Sequence, residues 1–518
     1  MPSSGQTLLF RADAQKGQGQ GPGHVLRGLA LAQAWQDAGG AATFVMAADA
    51  FRTSPRLQAQ DVTTIAIAVM PGSSEDARQT AELAAAERAA WVILDGPQFG
   101  GSYQCVLREA GHRVLVVADQ MDAEEHVADF LLNEAPGVDE SDYPRRARHT
   151  RFLLGPRYVL LRREFLRWRR LARKIPPCAR NVLVALGDND SEDVALTVVE
   201  ALGHIDAELE VVVVATPWHR HYAALEQAVR AAPITMRLRP NLTDMPGLLA
   251  WADVAVCDSG LAAWERVFLG LPALYLPMCE PQEFLARQLA AGGLGNTLPL
   301  HPRPTVDRMR YAIDHLIRSP QQRKVILDAS REVVDGEGCQ RVCMYLRGDP
   351  IRLRWTTMRD CETLWRWTND PQSRRNSFTD GPISWDEHVR WLENKLHDPR
   401  TCAFIGVDAD DRLVGRLRFE GTGERTQVSV AVDAEQRGKG YGRRIVVQGL
   451  AYVFRNMPVQ EVHALIKPAN QPSIRLFESL GFQLADVEQI GSNSACHYVL
   501  KKSDVLGRGP LHPLNFRS

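Results

Sequence analysis

The sequence predicts an α/β protein of two doubly wound halves, followed by a smaller α+β region. Three observations lead there. Short apolar runs without polar alternation recur between helical stretches, in two successive series. Glycine-rich turns stand between a strand and a helix at Gly17–Gly23 and again at Gly438–Gly442. From Ile351 onward, alternating strands and a tryptophan-rich helix replace the earlier style.

The first series runs "TLLF" (7–10), "TFVM" (43–46), "TIAIAVM" (64–70), "WVILD" (91–95), "VLVVAD" (114–119) and "DFLLNE" (129–134). The second runs "NVLVALGD" (181–188), "LEVVVVAT" (209–216), "ITMRL" (234–238), "DVAVCDSG" (253–260) and "ALYLP" (273–277). Unbroken Val/Leu/Ile runs suit strands covered on both faces, hence parallel sheets. Joined near "GPRYVLLRREF" (155–165), the series predict Rossmann-like halves at about 1–165 and 175–345, with a cleft between them. The arginines of "RREFLRWRRLARK" read as a solvated helix face.

Past "YLRGDPIRL", "IRLRWTTMRDCETLWRWTND" reads strand, turn, helix, and "WDEHVRWLENKLHD" an amphipathic helix. "AFIGVD", "RLVGRLRFEG" and "TQVSVAVD" alternate as strands before the turn "EQRGKGYG" and the helix "RRIVVQGLAYVF". The expected domains are 1–347 and 350–502, with 503–518 as an exposed tail.

A chain of 518 residues is too long for one core, which agrees with that division. A net charge of −1 gives no electrostatic reason to expect nucleic acid or an anionic membrane as partner. No segment approaches the ~20 apolar residues of a membrane span, and the N-terminus lacks the basic region of a signal peptide. Of nine scattered cysteines only Cys339 and Cys343 are close, so free thiols in a reducing cytoplasm are expected. No metal-ligand cluster is visible in the spacing, and oligomeric state is left open, a homo-oligomer included.

The turn "QRGKGYG" (436–442) places Gly438, Gly440 and Gly442 where backbone N–H groups and a helix N-terminus can hold a pyrophosphate. "NQPSIRLFESLGF" (470–482) follows it. This motif pair resembles the GNAT superfamily of acetyl-CoA-dependent N-acetyltransferases over about 351–502. The resemblance implies that Arg437, Gly438, Lys439, Gly440, Tyr441 and Gly442 hold the CoA pyrophosphate. It also implies that the backbone at Val430 and Val432 aligns the thioester, and that Asn470, Ser473 and Phe477 flank the pantetheine arm. Many members carry a tyrosine that protonates the departing thiolate; here Phe477 stands in its place and has no proton to give. His388, Glu420 and His463 are open alternatives for the group that deprotonates the amine.

The N-terminal glycine run fits neither G-x-G-x-x-G nor G-K-[ST]. It leaves a turn after "TLLF" and a helix with Val25, Leu29, Ala32 and Trp35 inward, so His24 falls at the carboxyl end of a parallel strand, where ligand chemistry concentrates. The helix dipole is expected to lower its pKa and favour the neutral imidazole of a general base.

"FRADAQKGQGQGPGHVLRGLALA" resembles the opening of the pseudaminic-acid-pathway UDP-sugar hydrolases, relatives of the two-domain GT-B glycosyltransferases. "WVILD", "VLVVAD" with Asp119, "LLGPRYVLLRREF", "VLVALGDND", "WADVAVCDSGLAAWERVFLGLP" and "VVDGEGCQRV" match in order over about 8–345. The resemblance makes His24 the base that activates water. It makes Arg162 a pyrophosphate contact, Glu265 the grip on the uridine ribose and Gln282 a sugar-facing residue, with Asp13, Arg27, Asp95 and Ser259 as further substrate contacts.

The sequence departs from the pattern at Pro281, at "LDGPQ", "VVAD" and "LGD", and in "DSGLAAWE". The fusion as a whole resembles the bifunctional enzymes of nonulosonic acid synthesis. It implies acetylation of a UDP-amino-sugar and hydrolysis of UDP-2,4-diacetamido-2,4,6-trideoxy-β-L-altropyranose, in service of flagellin or surface-polysaccharide glycosylation. A hydrolase for a legionaminic-type precursor, a glycosyltransferase and a non-catalytic scaffold remain alternatives for the first region.

Overall fold

β1 (Thr7–Ala12) and β4 (Ala89–Asp95) lie side by side and parallel, Ala12 against Asp95, at the middle of the first sheet. The protein is described by a computed structural model over residues 6–13, 23–48, 57–119, 125–169, 171–187, 193–217, 219–240, 244–348, 351–379, 381–408, 411–491 and 493–506. Its contacts divide into two units. One comprises Thr7–Ala34 and Ala42–Val342; the other comprises the chain from Cys343 onward together with Trp35–Ala41 and the N-terminal residues up to Gln6.

The first unit holds two sheets. One contains β1, β2 (Ala41–Ala47), β3 (Thr63–Ile67), β4, β5 (Val114–Val117), β6 (Phe130–Asn133) and β7 (Arg151–Leu154), in the order β3-β2-β1-β4-β5-β6-β7. The other contains β8 (Asn181–Ala185), β9 (Glu210–Val214), β10 (Thr235–Arg239), β11 (Val254–Cys257), β12 (Ala273–Tyr275) and β13 (Asn296–Thr297), in the order β10-β9-β8-β11-β12-β13. The β2–β3, β4–β5, β5–β6 and β6–β7 pairs, like β1–β4, are parallel, and so are all the pairs of the second sheet. Leu8, Leu9 and Phe10 are all fully buried, so both faces of β1 are covered, as the unbroken apolar run requires. β10 instead alternates exposed and half-buried residues, the pattern of an edge.

Strand order reverses between β1 and β4, and again between β8 and β11. Connections leave such points in opposite directions and open a crevice at the strands' carboxyl ends. The arginine-rich stretch corrects one expectation. Its helix is confined to Arg163–Leu166, Phe165 is buried, and Arg173 donates to the carbonyls of Leu249 and Leu269. Much of this segment is packing, not a solvated face.

The second unit holds a mixed sheet of β14 (Ile351–Trp355), β15 (Thr401–Asp408), β16 (Leu413–Thr422), β17 (Arg425–Val432), β18 (Glu461–Ile466), β19 (Gln483–Ile490) and β20 (Asn493–Lys501), in the order β14-β15-β16-β17-β18-β20-β19. The β17–β18 pair is parallel and the other pairs are antiparallel. The helix Tyr441–Asn456 packs Ile445, Leu450 and Val453 onto Val414, Leu417 and Phe419. It approaches so closely that a Cβ on Gly449 would fall 2.1 Å from Leu417 Cδ2. The expected tail is partly structured: Lys502–Leu506 is helical and Val505 is buried. Residues 507–518 lie outside the described residues.

Candidate active sites

At the first strand reversal, His24 opens the helix Gly23–Asp37 while Asp95 ends β4. His24 Nδ1 lies 2.6 Å from Asp95 Oδ1, and both side chains are buried. Arg27, one helical turn on, donates to the same carboxylate at 2.9 and 2.6 Å, and also bonds the exposed Asp119. Its Nη1 comes within 3.5 Å of Glu134, which accepts the Leu160 N–H at 2.7 Å. Arg27 therefore spans three carboxylates, and it has little freedom to turn toward a ligand.

The charges set the protonation of this group. Burial opposes ionisation of Asp95, but Arg27 and His24 hold its carboxylate down to about 2. Burial likewise opposes charge on His24, and the carboxylates of Asp95 and Asp119 outweigh it, raising the imidazole above its ordinary 6.5. The expected direction is thus reversed: two carboxylates dominate the helix terminus. Burial pushes Glu134 up to about 7 despite Arg27. The fold also gathers His24, Asp95 and Asp119 so that their ligand atoms lie within 4.8 Å of one another, a set that spacing along the chain did not reveal. The Arg27 guanidinium lies against both carboxylates and offsets their charge.

Asp13 is occupied elsewhere. It pairs with the fully buried Arg11 at 2.7 Å and accepts the Ala47 N–H at 2.6 Å. The glycine run from 17 to 21 lies outside the described residues, while Gly23 is described. A Cβ at Gly23 would sit 3.0 Å from Leu261 Cδ1 in the loop after β11, so the second half closes against the start of the His24 helix.

At the end of the first half, Arg162 donates to Glu265 of the second at 3.0 and 2.7 Å and to Glu164 at 2.5 Å. The two residues that the resemblance gave to different parts of one ligand thus face each other. Burial raises Glu265, with Arg162 opposing. Ser259 donates to the Gln282 carbonyl at 2.7 Å, and Gln282 Oε1 accepts the Met278 N–H at 2.9 Å. Ser259 is committed to holding the helix Glu280–Ala291 in place.

In the second unit β17 keeps β16 as partner along its length, but pairs with β18 only through Arg425, Thr426 and Gln427. Beyond Gln427 the two strands part, and Val428–Val432, still paired with β16 on one edge, faces the gap on the other. A cavity of about 1150 Å³ occupies this wedge. Its walls include Val430, Val432, Arg437, Gly438, Gly440, Tyr441, Gly442, Asn470, Ser473 and Phe477. Lys439 does not line it and bonds Gln436 instead.

Gly438 and Gly440 adopt φ of +79° and +77°, the left-handed region that favours glycine. Together they present backbone N–H groups ahead of a 16-residue helix whose first turn carries no acid. The Arg437 guanidinium anchors the turn to Asp370 at 2.7 Å and to Gln372 at 2.7 Å. Such a cradle fits a pyrophosphate.

Residues 351–483 match the family model of the acetyltransferase (GNAT) domain. Three curated relatives extend this. The uncharacterized protein MJ1062 of Methanocaldococcus jannaschii is 22% identical over 402 residues, covering 76% of this chain and 81% of its own, a share too large for either expected domain alone. The spore coat polysaccharide biosynthesis protein SpsG of Bacillus subtilis is 27% identical over 201 residues, 38% of this chain and 59% of its own. The acetyltransferase PseH of Campylobacter jejuni is 24% identical over 145 residues, 28% of this chain and 88% of its own.

The GNAT domain separates the three candidate bases. His388 and Glu420 line the cavity; His463 does not, and its Nδ1 is 2.9 Å from His497 Nε2. His388 is 2% exposed, and burial and the nearby Arg416 lower its pKa, keeping it neutral. Glu420 is clamped by Lys395 at 2.6 Å and by Arg418 at 2.8 Å. Phe477 lines the wedge and packs edge-on against Phe482. Arg416 and Arg418, also in the wall, were not singled out from sequence. The alternation R-x-R-x-E within "GRLRFEG" is the signal that could have marked them, since it puts three charges on one strand face.

Proposed function

We propose that the chain carries out two consecutive steps on a nucleotide sugar. The GNAT domain transfers an acetyl group from acetyl-CoA to the 4-amino group of a UDP-amino-dideoxy-sugar. The preceding region then hydrolyses the UDP-diacetamido product to UDP and the free sugar. The observation that carries the reading is the parting of β17 from β18 over a glycine cradle, because it provides a channel for an extended thioester and a seat for its pyrophosphate. The likeness to PseH and SpsG supports nucleotide-sugar substrates.

Acetyl-CoA supplies the thioester carbonyl that the amine attacks. Backbone groups of Val428–Val432 orient that arm, and the Gly438–Gly442 turn holds its phosphates. Phe477 offers no proton, so the sulfur departs as thiolate or takes a proton from water. For hydrolysis, His24 donates Nδ1–H to Asp95, which leaves Nε2 to accept a proton from water. The water oxygen bonds to the anomeric carbon as the bond to the UDP phosphate oxygen breaks. Arg162 and Glu265 would exchange their mutual pairing for the pyrophosphate and the ribose.

Incubation with a panel of UDP-amino-sugars and acetyl-CoA, without a sugar acceptor, tests both steps by mass spectrometry. The expected products are the acetylated UDP-sugar, then UDP with free diacetamido sugar. Acetylation without any UDP release would remove the hydrolytic step, and release only on adding a sugar acceptor would make the first region a glycosyltransferase.

A further inference from the structure

The GNAT cavity carries positive charge that its own walls do not balance. Arg416 and Arg418 stand on one face of β16 and both line the cavity. Arg418 is answered by Glu420, but that one carboxylate also answers Lys395. Arg416 makes no hydrogen bond or ion pair among the described residues, and its Nε is buried without a partner. Burial, then the like charge of Arg418, push its guanidinium down to about 10 against the weaker pull of Glu420, so it remains a cation at neutral pH. His388 beside it is neutral and the nearby Glu387 is exposed, so neither supplies a counter-charge within the wall.

A largely desolvated guanidinium without a partner costs free energy that an arriving oxyanion recovers. Its planar fork suits phosphate oxygens.

We infer that Arg416 is the anion anchor of the acceptor pocket: it holds a phosphate oxygen of the amine-bearing substrate and selects amines carried on phosphorylated molecules over polycationic amines. This rests on the acetyltransferase reading above and adds to it the residue that sets acceptor specificity.

The test uses the full chain and Arg416→Gln, following CoA thiol release with three acceptors: a UDP-amino-sugar, the same amino-sugar without its diphosphate, and spermidine. Loss of a charge-assisted contact is worth about 10- to 100-fold. The KM for the UDP-amino-sugar should rise by that factor, with the KM for acetyl-CoA unchanged and turnover of the amino-sugar without its diphosphate unchanged. Arg416→Lys should recover part of the loss. UDP should inhibit acetyl transfer competitively against the acceptor in the parent protein and more weakly in Arg416→Gln.

Because the substitution removes an unpaired charge, the Tm should hold or rise. A merely structural arginine would instead lower the Tm and impair every acceptor equally, which would overturn the inference. So would a UDP-amino-sugar KM within about threefold of the parent, or a parent protein that prefers spermidine. If no UDP-amino-sugar is acetylated at all, the proposed function fails on its own. A hexosamine phosphate would then replace it as acceptor, and an Arg416-dependent preference for it over the free hexosamine would uphold the anchor.

Discussion

His24 Nδ1 and Asp95 Oδ1 stand 2.6 Å apart, although 71 residues separate them in sequence. The pairing fixes which imidazole nitrogen is free to take a proton, and it sets the pH at which that nitrogen is available. Only the neutral ring accepts a proton, so UDP release should rise with pH along a limb lying above the ordinary 6.5. Asp95→Asn removes the charge that favours imidazolium. Its limb should therefore move to lower pH, while the plateau rate falls by ~10²-fold or more because the ring is no longer oriented. A limb unmoved in the variant would detach Asp95 from the histidine's titration.

Removal of the imidazole itself separates the two activities. His24→Asn should reduce UDP release by ~10²–10⁴-fold, while acetyl transfer to the amino-sugar keeps its parent rate. Hydrolysis at near-parent rate in this variant would exclude His24 as the base.

Parallel strands were legible because β1, β4 and β8 are unbroken apolar runs, a pattern that solvent-facing strands cannot keep. β13 escaped notice because a two-residue strand carries too little pattern to distinguish from loop, and β7 because it opens on an exposed arginine and buries only Leu153 fully. His24 was legible from its position after a glycine turn, but its partner was not. Asp95 reaches it only because β1 and β4 become neighbours, and Asp119 only through β5 beside β4. Asp13 pairs with Arg11 only two residues before it, a local contact, whereas the Ala47 N–H that it also accepts arrives from the end of β2 and no local spacing announces it.

Gly440 tests the cradle by a different route from simple crowding. No atom lies within 4 Å of a Cβ built there, so the local space is open, yet its φ is +77°. A β-branched residue held in that conformation is strained by about 1–3 kcal/mol. Gly440→Val should therefore distort the turn and raise the acetyl-CoA KM by roughly tenfold or more, with UDP release from a pre-acetylated substrate unchanged. Normal acetyl-CoA binding by calorimetry in this variant would assign the pyrophosphate elsewhere.

Asp76 supports the first unit from beneath. Its carboxylate accepts Arg11 at 2.9 and 3.0 Å and Tyr103 at 3.0 Å in the interior, and the part-buried Gly72 N–H at 2.8 Å. Asp76→Ala leaves Arg11 buried with Asp13 alone, a loss of ~3–5 kcal/mol. Thermal unfolding should show it as a marked drop in the transition reported by UDP release, with acetyl transfer at 25 °C intact. A Tm equal to the parent's would mean that Arg11 finds solvent the structure does not give it.

The two activities should also separate physically, and the point of division matters. A fragment ending at Arg347 contains every strand of both parallel sheets, and one starting at Asp349 contains every strand of the mixed sheet. Although contacts group Cys343–Arg347 with the second unit, they group Trp35–Ala41 there too. Arg347 donates to the carbonyls of Ala38 and Trp35 at 3.0 and 3.2 Å and lies 4.3 Å above the Trp35 ring. Ending at Arg347 keeps those contacts within one polypeptide, whereas ending at Val342 removes the cover from a tryptophan that is 1% exposed. The longer fragment should therefore unfold at a higher temperature than the shorter one and release UDP from the diacetamido substrate. The fragment from Asp349 should acetylate the amino-sugar, and mixing the two should restore the full conversion. Equal Tm values for the fragments ending at 342 and 347 would show that the Arg347 contacts add nothing, and insolubility of both halves would show that neither core closes alone.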